Sequence, residues 1–338
     1  MPMVTLAPEI VEIFLSFINE DENRLSNLSS CALVCQTWRS IAQPLLFSEI
    51  YVTASPYFAQ ERGCIKNSGA LVTTLNRHAP HLSQLVSRYR VIGTGGEAYK
   101  DVVAITRTLT HLQDLQISRS LTQNSGAGVT VALQRVLPIA LSSTRLTKLR
   151  IFHINDFPIH LFQHCRALRH LSIEHTTLAG LDEPVTKPKE RIQLHTFTYG
   201  SMQSRSERRV LPWLTNSSCP FDLSELRVFL GSPTEHIITL FPSSRLDNLR
   251  AIEIPIKAGH EKDSVSWTIG VLSNLVAPEP FQNLEKVAVI AYLNRESTDH
   301  ESTTVLPRSF PLLRAKNMLT VEVSYAANYA SVILGPLP

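Results

Sequence analysis

The sequence predicts an α/β chain: a small three-helix N-terminal module followed by an irregular solenoid of stacked repeats with a parallel sheet. Three observations carry that reading. The first fifty residues contain helix-periodic apolar runs broken by Pro and polar loops, a short Leu-x-x-Leu-x-Ile pattern returns nine times afterwards, and Leu occurs 44 times among 338 residues against 13 Gly. A chain this long exceeds what a single core usually spans, so the expected organisation is a helical module over 1–48 and a repeat domain over 49–338.

In the module, Pro8 suits a first helical turn, and Glu9 and Glu12 lie where the helix dipole favours negative charge, so a helix is expected from Pro8 to Ile18. Its polar residues Glu9, Glu12 and Ser16 form one narrow stripe, and Ile10, Val11, Ile13, Phe14, Leu15, Phe17 and Ile18 cover the rest of the circumference. Such a helix needs partners on two sides. A polar loop over 19–24 precedes a second helix marked by Leu25, Leu28, Ala32 and Leu33, and a third carries Trp38, Ile41 and Ala42 until Pro44 is expected to stop it. A module this small does not bury so much apolar surface alone.

The segments Leu6-Ala7-Pro8-Glu9-Ile10-Val11-Glu12-Ile13-Phe14-Leu15, Leu33-Val34-Cys35-Gln36-Thr37-Trp38-Arg39 and Leu45-Leu46-Phe47 stand in the order of the F-box family, which the chain resembles over about 45 residues. It departs from that pattern in Ala7 between Leu6 and Pro8 and in a longer acidic loop. The resemblance implies docking onto a Skp-type adaptor protein of a cullin ubiquitin ligase, with Leu6, Pro8, Ile10, Ile13, Leu33, Val34 and Trp38 as contact or module-core residues. The competing structural reading is a three-helix cap whose apolar stripes face its own chain.

The nine copies centre on Ile50, Leu85, Leu115, Leu149, Leu171, Phe197, Leu226, Ile252 and Val287. In each, the last two apolar positions point one way along a strand and the residue between them points the other, so each unit is half a core that stacking completes. Helical returns are expected at Val102–Thr108, Val129–Leu141, Pro158–Cys165 and Ser264–Val276. The pattern resembles an irregular leucine-rich repeat, and spans roughly 45 to 325. The outward residues Gln116, Arg150, Ser172, Thr198, Arg227 and Glu253 should then form a solvent-facing row that contacts a target protein, with the polar loops 182–191 and 201–209 as the alternative contact.

A doubly wound, nucleotide-binding enzyme is the rival α/β reading, resting on Gly93-Thr94-Gly95-Gly96-Glu97-Ala98 with Asp114 downstream. Against it, Ser87-Arg88-Tyr89-Arg90 is charged where a buried strand should be apolar, and Asp114 falls inside the next repeat. His153, His160, His164, His170 and His175 gather near Cys165, and His160 and His164 have four-residue spacing, but HEXXH is absent, as are a Walker loop and a GxSxG elbow. No cofactor, metal or catalytic residue is therefore expected.

The five Cys are scattered without a CxxC pair, and the +3 formal charge is too dispersed for a nucleic-acid or membrane footprint. The N-terminus lacks a basic signal-peptide region, so the expected setting is intracellular, cytoplasmic or nuclear. The functional expectation is a non-catalytic, substrate-recognition adaptor of a Skp-cullin-F-box (SCF) ubiquitin ligase. The alternative is a leucine-rich-repeat scaffold without ligase association.

Overall fold

The computed structural model describes residues 6–20, 23–53, 64–65, 68–92, 99–118, 131–181, 191–201, 213–214, 219–223, 225–230, 250–258, 285–293 and 319–325. It is a mixed α/β fold, and the chain divides into two compact units: Met1–Arg150 with His164–Ala167, and Ile151–Gln163 with Leu168–Pro338. The expected helical return at 264–276 lies outside the described residues, as do the first two residues of the one at 129–141, the Gly93–Ala98 motif and most of both polar loops.

The first unit begins with α1 (Pro8–Glu20), α2 (Arg24–Ala32) and α3 (Gln36–Phe47). Val11, Leu15, Leu28 and Ala42 form their shared core, and Ile18, Cys31, Trp38, Ile41, Leu45 and Leu46 pack against it half-buried. Pro44 does not stop α3, contrary to the expectation. Leu45 and Leu46 are packed on the module core, and that burial outweighs the hydrogen bond that Pro44 cannot donate. Arg24 fastens the far end of the module. Its Nε donates to Asn19 Oδ1 at 2.6 Å, while Nη2 donates to Leu45 O at 2.6 Å and to Ser48 Oγ at 3.2 Å.

The same unit continues through β1 (Glu49–Thr53), β2 (Cys64–Ile65), α4 (Ser68–Thr73), a π-helical turn, a 3-10 turn at Pro80–Gln84, β3 (Arg88–Ile92), α5 (Tyr99–Thr108), β4 (Asp114–Ser118) and α6 (Val131–Leu141). β5 (Lys148–Phe152) follows, and the division between units falls within it. β1 lies between β2 and β3, and β3 pairs with β4, all in parallel. Ile50, Tyr89 and Leu115 occupy one register line and are buried, as are Val52, Val91 and Ile117 two residues on. Val102 and Ile105 of α5 and Leu133, Val136, Leu137, Ala140 and Leu141 of α6 complete this apolar core.

Here the structure corrects one copy of the repeat. Leu82 and Leu85 belong to the turn before the strand, and Tyr89 holds the central position expected of Leu85. Arg88-Tyr89-Arg90 is thus sheet, with Ser87 just before it: Arg88 and Arg90 sit on the outward face, and Tyr89 carries the burial between them.

The second unit contains β6 (Phe157–Pro158), a 3-10 turn at Ile159–His164, β7 (His170–Glu174), β8 (Leu178–Ala179), β9 (Ile192–Leu194), β10 (Thr196–Ser201), β11 (Phe221–Leu223), β12 (Glu225–Leu230), β13 (Ala251–Ala258), β14 (Lys286–Leu293) and β15 (Leu319–Tyr325). Strands β7, β10, β12, β13, β14 and β15 pair in that order into a six-strand parallel sheet. Leu171, Phe197, Leu226, Ile252, Val287 and Leu319 align across it. The last of these the pattern missed, because Lys316 stands where a leading Leu is expected. Beside the sheet, Phe162 lies 5.4 Å from Phe157, 5.5 Å from Phe221 and 6.0 Å from Trp213, a buried aromatic cluster.

One backbone device recurs in both units. The carbonyl of the residue just before a strand accepts the N–H of the first residue of the next strand and of the residue before it. Ser48 O accepts from Ser87 and Arg88 (both 2.9 Å), Ser87 O from Gln113 and Asp114, and Gln113 O from Thr147 and Lys148. Arg169 O takes His195 and Thr196, and Arg250 O takes Glu285 and Lys286. No helix among the described residues is long and apolar enough to cross a membrane.

Candidate functional site

Helix α1 has three stripes rather than two. Val11, Leu15 and Ile18 face the module core. Glu9, Glu12 and Ser16 make a polar edge, as their spacing requires. Ile10, Ile13, Phe14 and Phe17, related by three-, four- and seven-residue steps, share a third side, where Ile10 is 52% exposed, Ile13 56% and Phe17 70%, and Leu6, just before the helix, is exposed as well. Large apolar side chains grouped on one helix face at that exposure mark an interaction surface far more often than scattered single residues do. Phe14 also meets Trp38 edge-on at 5.7 Å, which joins the exposed stripe to the module interior.

The corner between α2 and α3 supplies two more. Leu33 is 78% exposed and Val34 is also exposed, yet neither is loose. Leu33 N donates to Ser30 O and Val34 N to Cys31 O, both at 3.1 Å, and Arg39 Nε donates to Ala32 O at 3.2 Å. Of the seven residues expected to dock or to form the module core, Leu6, Pro8, Ile10, Ile13, Leu33 and Val34 are on the surface, and Trp38 is half-buried against the core. Phe14 and Phe17 were not singled out from the sequence. Their four- and seven-residue offsets from Ile10 are the signal that assigns them to the same face.

The outward residues of the strands divide into two kinds. In the first unit Gln116 and Arg150 are half-exposed, and the register sets Gln116 beside Arg90, which in turn lies beside Tyr51. Arg90 Nε pairs with Glu49 Oε1 at 2.8 Å, and Arg150 Nη2 pairs with Asp114 Oδ2 at 2.5 Å, the same diagonal step on neighbouring strand pairs. In the second unit Ser172, Thr198, Arg227 and Glu253 align across β7, β10, β12 and β13 as expected. Solvent exposure fails for two of them: Ser172 is 5% and Thr198 4% exposed. Ser172 Oγ turns along its own strand to donate to Glu174 Oε1 at 2.6 Å. The side chains of Arg227 and Glu253 lie outside the described residues.

The histidines separate. His160 and His164 occupy a 3-10 turn, where a four-residue step rotates the second side chain about 120° from the first, so they do not share a face. His170 Nδ1 lies 2.7 Å from Thr196 Oγ1. His153 and His175 stack with centroids 4.7 Å apart and planes 10° from parallel. Among the described residues no three His, Cys, Asp or Glu side chains gather as metal ligands would. Burial pushes the Cys165 and Cys219 thiols up to about 12, so neither is a thiolate nucleophile at neutral pH.

Compared with models of protein families and with curated proteins, the chain matches none, so the three-striped helix and the charged strand face are what its function is argued from.

Proposed function

We propose that this chain is a non-catalytic adaptor of an SCF-type ubiquitin ligase: an F-box module over α1 to α3 docks a Skp-type adaptor protein, and a leucine-rich-repeat domain captures the protein to be modified. The observation that carries the proposal is the exposed apolar side of α1 together with Leu33 and Val34. A module covering only its own chain would bury that side. Here Val11 and Leu15 satisfy the module core while Ile10, Ile13 and Phe17 remain open. Burying each such side chain in a partner contributes on the order of 1.5–3 kcal/mol before the cost of association, which is enough for several together to anchor a complex. The aligned register of Leu171, Phe197, Leu226, Ile252 and Val287 supports the repeat half of the reading, since stacked units give a broad strand-lined face and no catalytic cleft is required of it.

The test is co-purification of the full-length chain with a Skp-type adaptor. Charged replacement of Pro8, Ile10 and Ile13 together should abolish it, because a charge desolvated in an apolar contact is costly. All three residues are exposed, so the melting temperature should barely move. A folded triple mutant that still binds the adaptor would sink the docking reading.

A further inference from the structure

The outward face of the first unit's strands carries a charge pattern that capture in general does not explain. Across β1, β3, β4 and β5 the lower row reads Glu49, Arg88, Asp114, Lys148, and the row two residues on reads Tyr51, Arg90, Gln116, Arg150. The alignment of β5 follows from Lys148 N, which reaches Gln113 O as Asp114 N reaches Ser87 O. Four cations thus stand against two anions. Both anions are already engaged, Glu49 by Arg90 and Asp114 by Arg150. Arg88 is exposed and Lys148 half-exposed, and neither takes part in an ion pair among the described residues. A chain whose whole formal charge is +3 therefore concentrates a surplus of two on this one face.

The two ion pairs also determine what the arginines can do. Each guanidinium is held by an acid one strand back, on the same diagonal, and uses one nitrogen for it: Nε of Arg90 and Nη2 of Arg150. A planar guanidinium keeps further donors after making such a bond, and fixing it beforehand lowers the entropy lost when a second acceptor arrives. Arg90 and Arg150 flank Gln116 from its two neighbouring strands, so their backbones are about 9.6 Å apart, with the amide of Gln116 between them. An oxyanion above Gln116 would meet donors from three strands at once.

We infer that this face binds an acidic peptide segment of the captured protein, with Arg90 and Arg150 clamping a carboxylate over Gln116 and Arg88 and Lys148 attracting the flanking acids. The inference rests on the proposed capture role of the strands and names the chemistry of the segment captured. In the second unit Ser172 and Thr198 carry no charge and are buried, so the acidic segment is assigned to the first unit.

The probe is fluorescein-labelled hexaglutamate titrated with the full-length chain and followed by anisotropy, with hexalysine as the control. Hexaglutamate should bind saturably, and more weakly as salt rises from about 50 mM to about 300 mM, while hexalysine should not bind. The Arg90→Gln/Arg150→Gln variant should lose about tenfold or more in affinity. Because that variant also unpairs Glu49 and Asp114, Arg88→Gln/Lys148→Gln serves beside it: it breaks no ion pair and should still weaken binding several-fold. Absence of hexaglutamate binding, equal binding of hexalysine, or unchanged affinity in a folded charge variant would overturn the inference. Adaptor co-purification should be intact in every one of these variants. Its loss only in the α1 triple mutant, with hexaglutamate binding kept, separates failure of the peptide site from failure of the ligase reading.

Discussion

At the residue scale, the least expected arrangement is the pair His153 and His175. Each follows a strand directly, β5 and β7, and each has a left-handed backbone, φ 53° and 49°. Asp156, at φ 54°, is a third such residue. His and Asp tolerate this region better than β-branched or bulky residues do, and His153 N donating to Glu174 O at 3.0 Å holds the turn. Burial, with His175 stacked beside it, holds His153 down at about 4 from its ordinary 6.5, and burial lowers His175 too. Between pH about 6.5 and 4 the unfolded chain therefore binds a proton that the folded chain does not. The folded state should be fully favoured above 6.5 and lose stability as pH falls through that window. Thermal unfolding at pH 7 and pH 5 checks this, with His153→Asn as the comparison, since Asn accepts a left-handed backbone and does not titrate. An equal pH effect in both proteins would show that His153 is not its source. The same two histidines were visible in the sequence only as members of a loose cluster. Their pairing depends on strand ends that align because of contacts far apart in sequence, and spacing along one chain does not encode that.

Among the elements, helices were legible where periodicity and caps agreed and less so where packing decided. The start of α1 at Pro8 follows from its N-terminal chemistry. The run of α3 through Pro44 and the 3-10 form of Ile159–His164 were not legible, because burial of Leu45, Leu46, Leu161 and Phe162 sets them. Strands behaved similarly. β3 was hidden by Arg88 and Arg90, two charges that alternate with buried Tyr89 and Val91. The central positions of the strands offer a direct test: Leu115, Leu149 and Leu171 are each no more than 1% exposed. Leu→Ala at any of them should cost about 2–5 kcal/mol in denaturant unfolding. Gln116→Ala, on the outward side of the same strand as Leu115, should cost under about 0.5 kcal/mol, as surface changes do. Comparable losses at Leu115 and Gln116 would mean that β4 has no inner and outer face.

For the molecule as a whole, the proposed division of labour places adaptor docking on the side chains of Pro8, Ile10 and Ile13 and peptide capture on strand side chains that, among the described residues, share no hydrogen bond or ion pair with those three. Changes at sites without common partners add rather than interact. A chain carrying both the α1 triple replacement and Arg88→Gln/Lys148→Gln should show the adaptor loss of the first and the hexaglutamate loss of the second, each unchanged in size. Co-purification and anisotropy on one preparation measure both, and a combined loss well beyond either alone would show that the two surfaces are coupled. More of the proposed docking surface than of the proposed capture surface was legible in the sequence. Exposed apolar residues on α1 follow from counting what one core can absorb, whereas the diagonal pairs Glu49–Arg90 and Asp114–Arg150 need the register of strands tens of residues apart.

The doubly accepting carbonyls before the strands bear on how such a chain tolerates change. From Ile50 to Tyr89 the path between aligned positions is 39 residues, and from Tyr89 to Leu115 it is 26, yet both strands start in the same phase. Ser48 O and Ser87 O set that phase locally, whatever length of chain arrives. Each rung is therefore indexed afresh, and a misalignment in one return path is not passed to the next. Insertions and deletions between rungs can drift in length without scrambling the inward and outward faces, so a surface such as the Arg90–Gln116–Arg150 row can stay in frame while the segments that join it diverge.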